Sequence, residues 1–154
     1  KVFKKRISYI EVVSTISSDS AGPATRLNLD EYIYSTQKAV SYFTGVKKTK
    51  AILNLNPAKP QVNMQTTTFV KILGDPVKKH EFKKINNFVH KIVKKVQKYN
   101  KGYKIIVEPH LYNNVIVVTV STVGNGDYLA KYAGNLDIIT SAALTSAENY
   151  AKKI

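Results

Sequence analysis

Ile85-Asn86-Asn87-Phe88-Val89-His90-Lys91-Ile92-Val93-Lys94-Lys95-Val96 is the most periodic stretch of the chain, and its reading decides the fold. Ile85, Phe88, Val89, Ile92, Val93 and Val96 recur at intervals of three and four, so they form one stripe of an α-helix, with lysines on most of the opposite face. A helix with a single apolar stripe must cover something. Pro76 stands where a first-turn proline belongs and Asp75 can cap, which puts the expected start there; Asn100 to Gly102 should end the helix.

What it covers is read from the segments on either side. Residues 66–73, closed by Gly74-Asp75-Pro76, and residues 103–107 and 115–123 are rich in β-branched and aromatic types and read as strands. Asn113-Asn114 suits a tight hairpin between the last two, because asparagine tolerates the left-handed conformation. Further upstream, residues 7–16 form a strand, residues 17–25 a small polar loop containing Gly22-Pro23, and residues 51–55 a short strand stopped by Asn56-Pro57. Between them Leu29, Ile33, Thr36, Val40 and Phe43 recur at helical spacing, with Asn28 and Glu31 as a capping box and Gly45 as the stop. From Asp137 onward, Ala142, Ala143, Ala147 and Ala151 join Leu136, Ile139 and Tyr150 in a last helix whose small-residue face suits close packing. The order β-α-β-β-α-β-β-α predicts an α+β domain: a mostly antiparallel or mixed sheet with helices packed on one face. It is not the regular alternation of a dinucleotide-binding sheet, and neither G-x-G-x-x-G nor G-x-x-x-x-G-K-[ST] occurs.

The 154 residues suffice for one domain with a proper core, and 44% hydrophobic with 22% charged residues is ordinary for a globular protein. The longest apolar run, residues 115–120, is too short to span a bilayer and the N-terminus does not resemble a signal peptide, so the cytoplasm and no membrane partner are expected. The only methionine is Met64, which suggests a chain that does not begin at its natural start. The absence of cysteine excludes disulfides, thiolate metal sites and a cysteine nucleophile within these residues.

A formal charge of +14 would attract polyanions. Lys78, Lys79, Lys83, Lys84, Lys91, Lys94, Lys95, Lys98, Lys101 and Lys104 all lie on or beside one helix, which reads first as a solvated face. The ten tyrosines are not gathered with these lysines and no known nucleic-acid motif is present, so no specific nucleic acid is expected. His80, His90 and His110 lack metal-ligand spacing and read as surface histidines; no metal site is expected. Asp30 and Glu31 favour a helix N-terminus electrostatically, which explains them better than acid–base catalysis. No serine lies in G-x-S-x-G.

Two segments remain. Ser18-Asp19-Ser20-Ala21-Gly22-Pro23-Ala24-Thr25-Arg26-Leu27-Asn28 combines small residues, an arginine and an approaching helix N-terminus, a place suited to phosphate or carboxylate but equally to a capped loop without a ligand. In Tyr132-Ala133-Gly134-Asn135-Leu136-Asp137-Ile138-Ile139-Thr140-Ser141-Ala142-Ala143, Asn135 or Asp137 could cap the last helix, or the Asn135 amide could meet a carboxamide ligand as both donor and acceptor.

Together the two segments resemble the acylating acetaldehyde dehydrogenase family. Its members carry S-A-G-P-G-T-R-x-N-I-D-E-F, matched here by Ser20-Ala21-Gly22-Pro23-Ala24-Thr25-Arg26-Leu27-Asn28-Leu29-Asp30-Glu31-Tyr32, and Y-A-G-N-L-D-I-M-T-[SA]-A-A, matched from Tyr132 to Ala143. Lys50-Ala51-Ile52-Leu53-Asn54-Leu55-Asn56-Pro57-Ala58 is similar to the family's K-A-I-I-x-x-N-P-A, and Gly102-Tyr103 and Gly126-Asp127-Tyr128-Leu129 follow in the expected order.

The resemblance implies that residues 1–154 are a single substrate and dimerisation domain, folded like the C-terminal domain of glyceraldehyde-3-phosphate-dehydrogenase-like enzymes. An N-terminal Rossmann domain carrying NAD and the cysteine would lie outside this chain. It implies conversion of acetaldehyde, NAD and coenzyme A to acetyl-CoA and NADH in aromatic hydrocarbon catabolism, a homodimer, and a 4-hydroxy-2-oxovalerate aldolase partner. By the same resemblance Ser20, Ala21, Gly22, Pro23, Ala24, Thr25, Arg26, Leu27 and Asn28 contact the dinucleotide and Asn135 lies at its nicotinamide end; these residues include no catalytic group. The last helix, residues 137–153, would pack on the Rossmann domain. The family's M-R-D-T appears here as Met64-Gln65-Thr66-Thr67, and the stretch from Pro109 to Val115 is shorter than the family's. The alternatives are an inactive dimerisation or scaffold domain, and a basic nucleic-acid-binding module.

Overall fold

The computed structural model describes residues 6–154. Strand β1 (Ile7–Ser17) runs through a 3-10 turn (Ser18–Ser20) into a short helix α1 (Pro23–Leu27) and then α2 (Leu29–Thr44). There follow β2 (Thr49–Asn56), β3 (Met64–Ile72), α3 (Lys79–Val96), β4 (Gly102–Tyr112) and β5 (Val115–Val123). A second 3-10 turn (Lys131–Ala133) leads into α4 (Gly134–Ala151). The α+β architecture is the one expected from the order of apolar periods.

The five strands form one mixed sheet in the order β2-β1-β3-β5-β4. β1 and β2 are parallel, joined through α1 and α2; β1–β3, β3–β5 and β5–β4 are antiparallel. Since β3 and β4 each run against β5, they are parallel to one another, and α3 is the crossover between them.

Both crossover helices sit on the same face. Phe82 and Ile85 of α3 pack on Ile72, Val77 and Ile116, with Ile7 and Val70 beside them. Tyr32, Ile33 and Thr36 of α2 border Val12, Ser14, Ala51 and Leu53, which the pleat directs to that same side. Each fully buried aliphatic side chain contributes roughly 1.5–3 kcal/mol, so the Ile72–Ile116 cluster carries much of the closure of α3. The other face bears Tyr9, Glu11, Val13 and Thr15 of β1, Thr67 and Phe69 of β3, and Val115, Val117 and Thr119 of β5; neither α2 nor α3 covers it. Tyr9 donates to Glu11 Oε2 at 2.5 Å and the Thr67 and Thr119 hydroxyls pair at 2.9 Å along that face.

Several boundaries differ from the sequence reading. α3 begins at Lys79, not at Asp75-Pro76, and the Glu81 carboxylate rather than Asp75 receives an N-terminal amide, that of Lys78 at 2.9 Å. Asp75 is occupied otherwise: its carbonyl and that of Leu73 accept from the Arg6 guanidinium, while Asn114 Oδ1 accepts from the Val77 N–H. Phe88 and Ile92 lie toward one side of the α3 stripe and stay 63% and 38% exposed, whereas Val93 at its opposite margin is buried, so the helix is rolled toward the Val93 side. Phe43 is likewise exposed, edge-on to Tyr42 at 5.3 Å, off the half-buried side of α2 that Val40 and Thr44 occupy.

The hairpin turn is as expected: Asn113 and Asn114 have φ of 47° and 60°, a pair of positive values that matches the twist of a two-residue connection. Gly45 ends α2 at φ 74°, its N–H bonded to the Ser41 carbonyl at 2.8 Å. β4, the outer strand beyond β5, is longer than expected and irregular, with register shifts between Ile105 and Val107 and between Val107 and His110.

Candidate functional site

One end of the sheet gathers every segment singled out in the sequence. β1 and β2 finish there side by side, Ser17 opposite Asn56, and β3 starts there with Met64 opposite Thr122 near the end of β5. The Ser18–Ser20 turn leaves β1 at this end and lies against the Lys131–Ala133 turn, which also touches β1. The two segments, far apart in the chain, thus meet in space.

The first segment is an organised corner rather than an open loop. Ser17 and Ser20 are buried; the Ser20 hydroxyl donates to the Ser17 carbonyl at 2.8 Å, and the Asp19 N–H donates to Ser17 Oγ at 3.3 Å. Pro23 starts α1, as a proline at N1 does. Arg26, expected to be available to an anion, is engaged by its own chain. Its Nε donates to the Ala21 carbonyl at 3.0 Å, and one Nη donates to the Ser18 carbonyl at 2.7 Å and to Ser18 Oγ at 2.9 Å. Arg26 is therefore first a clamp on residues 18–21, presenting the rest of its guanidinium outward.

Asn28 does not cap α2, because its amide donates back to the Ala24 carbonyl at 2.9 Å. Gly22 has open space where a Cβ would stand, so the surface above it is free. Asp19 accepts from Lys59 and from Gln61 Nε2 at 2.7 Å. Those hydrogen bonds, Lys59 first, hold its carboxyl below the ordinary carboxylate range, since they stabilise the charged form.

The second segment is fixed by close approach. α4 begins at Gly134, three residues earlier than Asp137, and its cap residue Ala133 has no side-chain bond. A Cβ on Gly134 would stand 2.3 Å from the Thr122 carbonyl oxygen, so only glycine lets the first turn of α4 approach β5 this closely. Asp137 reaches back to accept from the Asn125 N–H at 2.6 Å, which pins the loop after β5. Asn135 neither caps nor pairs through its oxygen: Oδ1 is buried without a hydrogen-bond partner among the described residues. Buried polar atoms are nearly always paired. Position alone in the chain gave no sign of this orphaned acceptor.

Of the residues at the family's M-R-D-T, Thr66 turns to the helix-covered face, its hydroxyl 3.0 Å from that of Ser14, and Gln65 is exposed. Neither is acidic or basic, so no general acid or base stands at this point. Among the described residues no group of three or more His, Cys, Asp or Glu side chains could hold a metal ion, and no helix is long and apolar enough to cross a membrane. His90 Nε2 donates to the Glu108 carboxylate across 3.0 Å, tying α3 to β4 away from this end.

A family model described as prokaryotic acetaldehyde dehydrogenase, dimerisation, matches residues 2–130. The chain belongs to this family. It is 50% identical over 146 residues to an acetaldehyde dehydrogenase of Spirochaeta aurantia, covering 95% of this chain and 48% of that protein. An acetaldehyde dehydrogenase of Pectobacterium atrosepticum is 51% identical over 140 residues, 91% of this chain and 46% of its own length. Acetaldehyde dehydrogenase 1 of Dechloromonas aromatica is 43% identical over 150 residues, 97% and 48% of the two chains. The chain therefore spans about half the length of these relatives. Nearly all of the fold, the Ser18–Ser20 corner and the Gly134 junction included, lies inside the aligned region.

Proposed function

We propose that this chain is the substrate-side and dimerising half of an NAD-dependent acylating acetaldehyde dehydrogenase, whose nucleophilic cysteine and Rossmann domain belong to sequence outside it. The observation that carries the reading is the orphaned Asn135 acceptor at the end of the sheet where two family-like segments meet. An unpaired buried acceptor costs about 1–3 kcal/mol; because Oδ1 is closed to solvent here, a carboxamide N–H would remove that cost by drawing the amide of the half-buried Asn135 outward on binding. Asn135 would take the nicotinamide end of NAD, and residues 20–28 would form the wall along the dinucleotide, with the outward part of Arg26 near its phosphates. NAD, when bound, would accept the hydride from the aldehyde carbon, and coenzyme A would carry the acyl group away. The residues of this chain bind, orient and exclude water; it holds no cysteine to attack the aldehyde.

The homodimer is assigned to the sheet face opposite α2 and α3. Val13, Phe69, Val115 and Val117 there are only half-buried in the single chain, and a second copy would complete their burial. An aldolase that delivers acetaldehyde belongs to the same proposal.

The test uses the protein extended through its natural upstream sequence, assayed for NADH formation from acetaldehyde, NAD and coenzyme A. Activity should be present, and Asn135→Leu should lower kcat/KM roughly ten- to a hundredfold, the cost of about 1–3 kcal/mol in transition-state stabilisation. Unchanged kcat/KM in Asn135→Leu would remove Asn135 from the cofactor wall. A folded but inactive parent would favour a scaffold domain, the reading to which the neutral Gln65 and Thr66 point.

A further inference from the structure

At the same end of the sheet, on the side of β4 and the end of α3, lies a second concavity of about 540 Å³. Its wall includes Lys98, Tyr99, Lys101, Asp127 and Lys131, together with Gly102 and Gly124. Three lysines and one aspartate thus border it, and among the described residues none of these four side chains forms an ion pair. Like charges gathered on one concave wall repel one another, and the arrangement costs least when an anion shares it.

The wall is also held in place. A Cβ on Gly102 would lie 2.1 Å from the Val123 carbonyl oxygen, so β4 and β5 meet here at a distance only glycine permits. The Gly124 N–H bonds the Lys131 carbonyl at 2.8 Å, and Asp137 holds the Asn125 N–H. Gly126 has φ +86°, and the Lys131 stem passes 3.2 Å from the point where a Cβ would stand, so this lysine, which lines the hollow, packs against the turn of the loop.

We propose that this concavity is a binding site for a small phosphate ester, its phosphate among Lys98, Lys101 and Lys131 and its organic body against Tyr99. The volume is that of an ordinary small-molecule site, too small for a nucleic-acid strand or a folded partner. Lysine binds phosphate as a point charge, without the planar geometry that arginine would impose, so the site selects charge and size more than shape. The proposal is independent of the cofactor wall around Asn135.

The probes are inorganic phosphate and phenyl phosphate, titrated into the full-length protein at constant ionic strength while backbone amide shifts are followed. Saturable shifts should concentrate at Gly102, Gly124, Asn125 and Lys131, with phenyl phosphate binding more tightly than phosphate. The variant Lys98→Gln/Lys101→Gln/Lys131→Gln should weaken both at least tenfold. A matched loss of charge on the outer face of α3, Lys83→Gln/Lys91→Gln/Lys94→Gln, should change them less than twofold. Equal weakening by the two triple variants, shifts scattered over all lysines, or no saturation would each overturn the site and leave only a general positive field.

Discussion

Asn100 follows α3 and is 0% exposed, yet among the described residues neither its Nδ2 nor its Oδ1 has a hydrogen-bond partner. Its backbone is satisfied: the N–H bonds the Val96 carbonyl at 2.9 Å and the carbonyl accepts from the Tyr103 N–H at 3.2 Å. The side chain alone is costly. A buried amide without partners loses about 1–3 kcal/mol per unsatisfied group, and replacement by an apolar group of the same shape removes that loss. Asn100→Leu keeps the branched heavy-atom shape but adds volume, so after a discount for overpacking it should stabilise the protein by about 1–3 kcal/mol. For a chain of this length that is a rise of roughly 3–10 °C in Tm, measured by far-UV circular dichroism. Protein concentration must be held fixed, because association raises apparent stability. Asn100→Asp should do the reverse, since a carboxylate there would be buried unpaired. A lower Tm for Asn100→Leu would refute the reasoning and show that the amide has partners in solution.

Other perturbations have defined outcomes. Gly134→Ala drives a methyl to within 2.3 Å of the Thr122 carbonyl oxygen and should cost about 1–3 kcal/mol, read as a lower denaturation midpoint with unchanged slope. Asp137→Ala removes the acceptor of the Asn125 N–H and should speed hydrogen exchange at residue 125 while leaving the α3 amides protected. The Asp19 carboxyl is held below its usual range, by Lys59 first and Gln61 second. Its contribution to stability is therefore present above the unfolded carboxyl pKa and is lost as pH falls through the lower folded value. A carboxyl-carbon NMR titration should show that low midpoint, and Lys59→Ala should move it upward; an unmoved midpoint would assign the effect elsewhere.

What the sequence disclosed and what it hid follow from the range of the forces involved. The α3 stripe and the Asn113-Asn114 turn are local and were legible, as was the order of elements that makes a mixed sheet with crossover helices. The start of α3 was not, because Asp75 and Val77 are committed to Arg6 and Asn114, partners 69 and 37 positions away. Gly22-Pro23 read as a breaker, although proline at N1 begins α1. Asn28 read as a cap, but the carbonyl of Ala24 claims its amide. At the candidate site the motifs marked the right segments. Only their folding together revealed Arg26 as a clamp and the Asn135 oxygen as unpaired.

The two irregularities in β4 have a consequence for solubility. An outer strand offers a free row of amides and carbonyls to any extended chain that matches its spacing. Here Ile106, Val107 and Leu111 are exposed enough to make such pairing attractive. The shifts between Ile105 and Val107 and between Val107 and His110 break that row into pieces too short to template a stranger. Pro109, between them, supplies no donor at all. Straightening β4 by deleting one bulge residue would be expected to turn a well-behaved border into a place where sheets join.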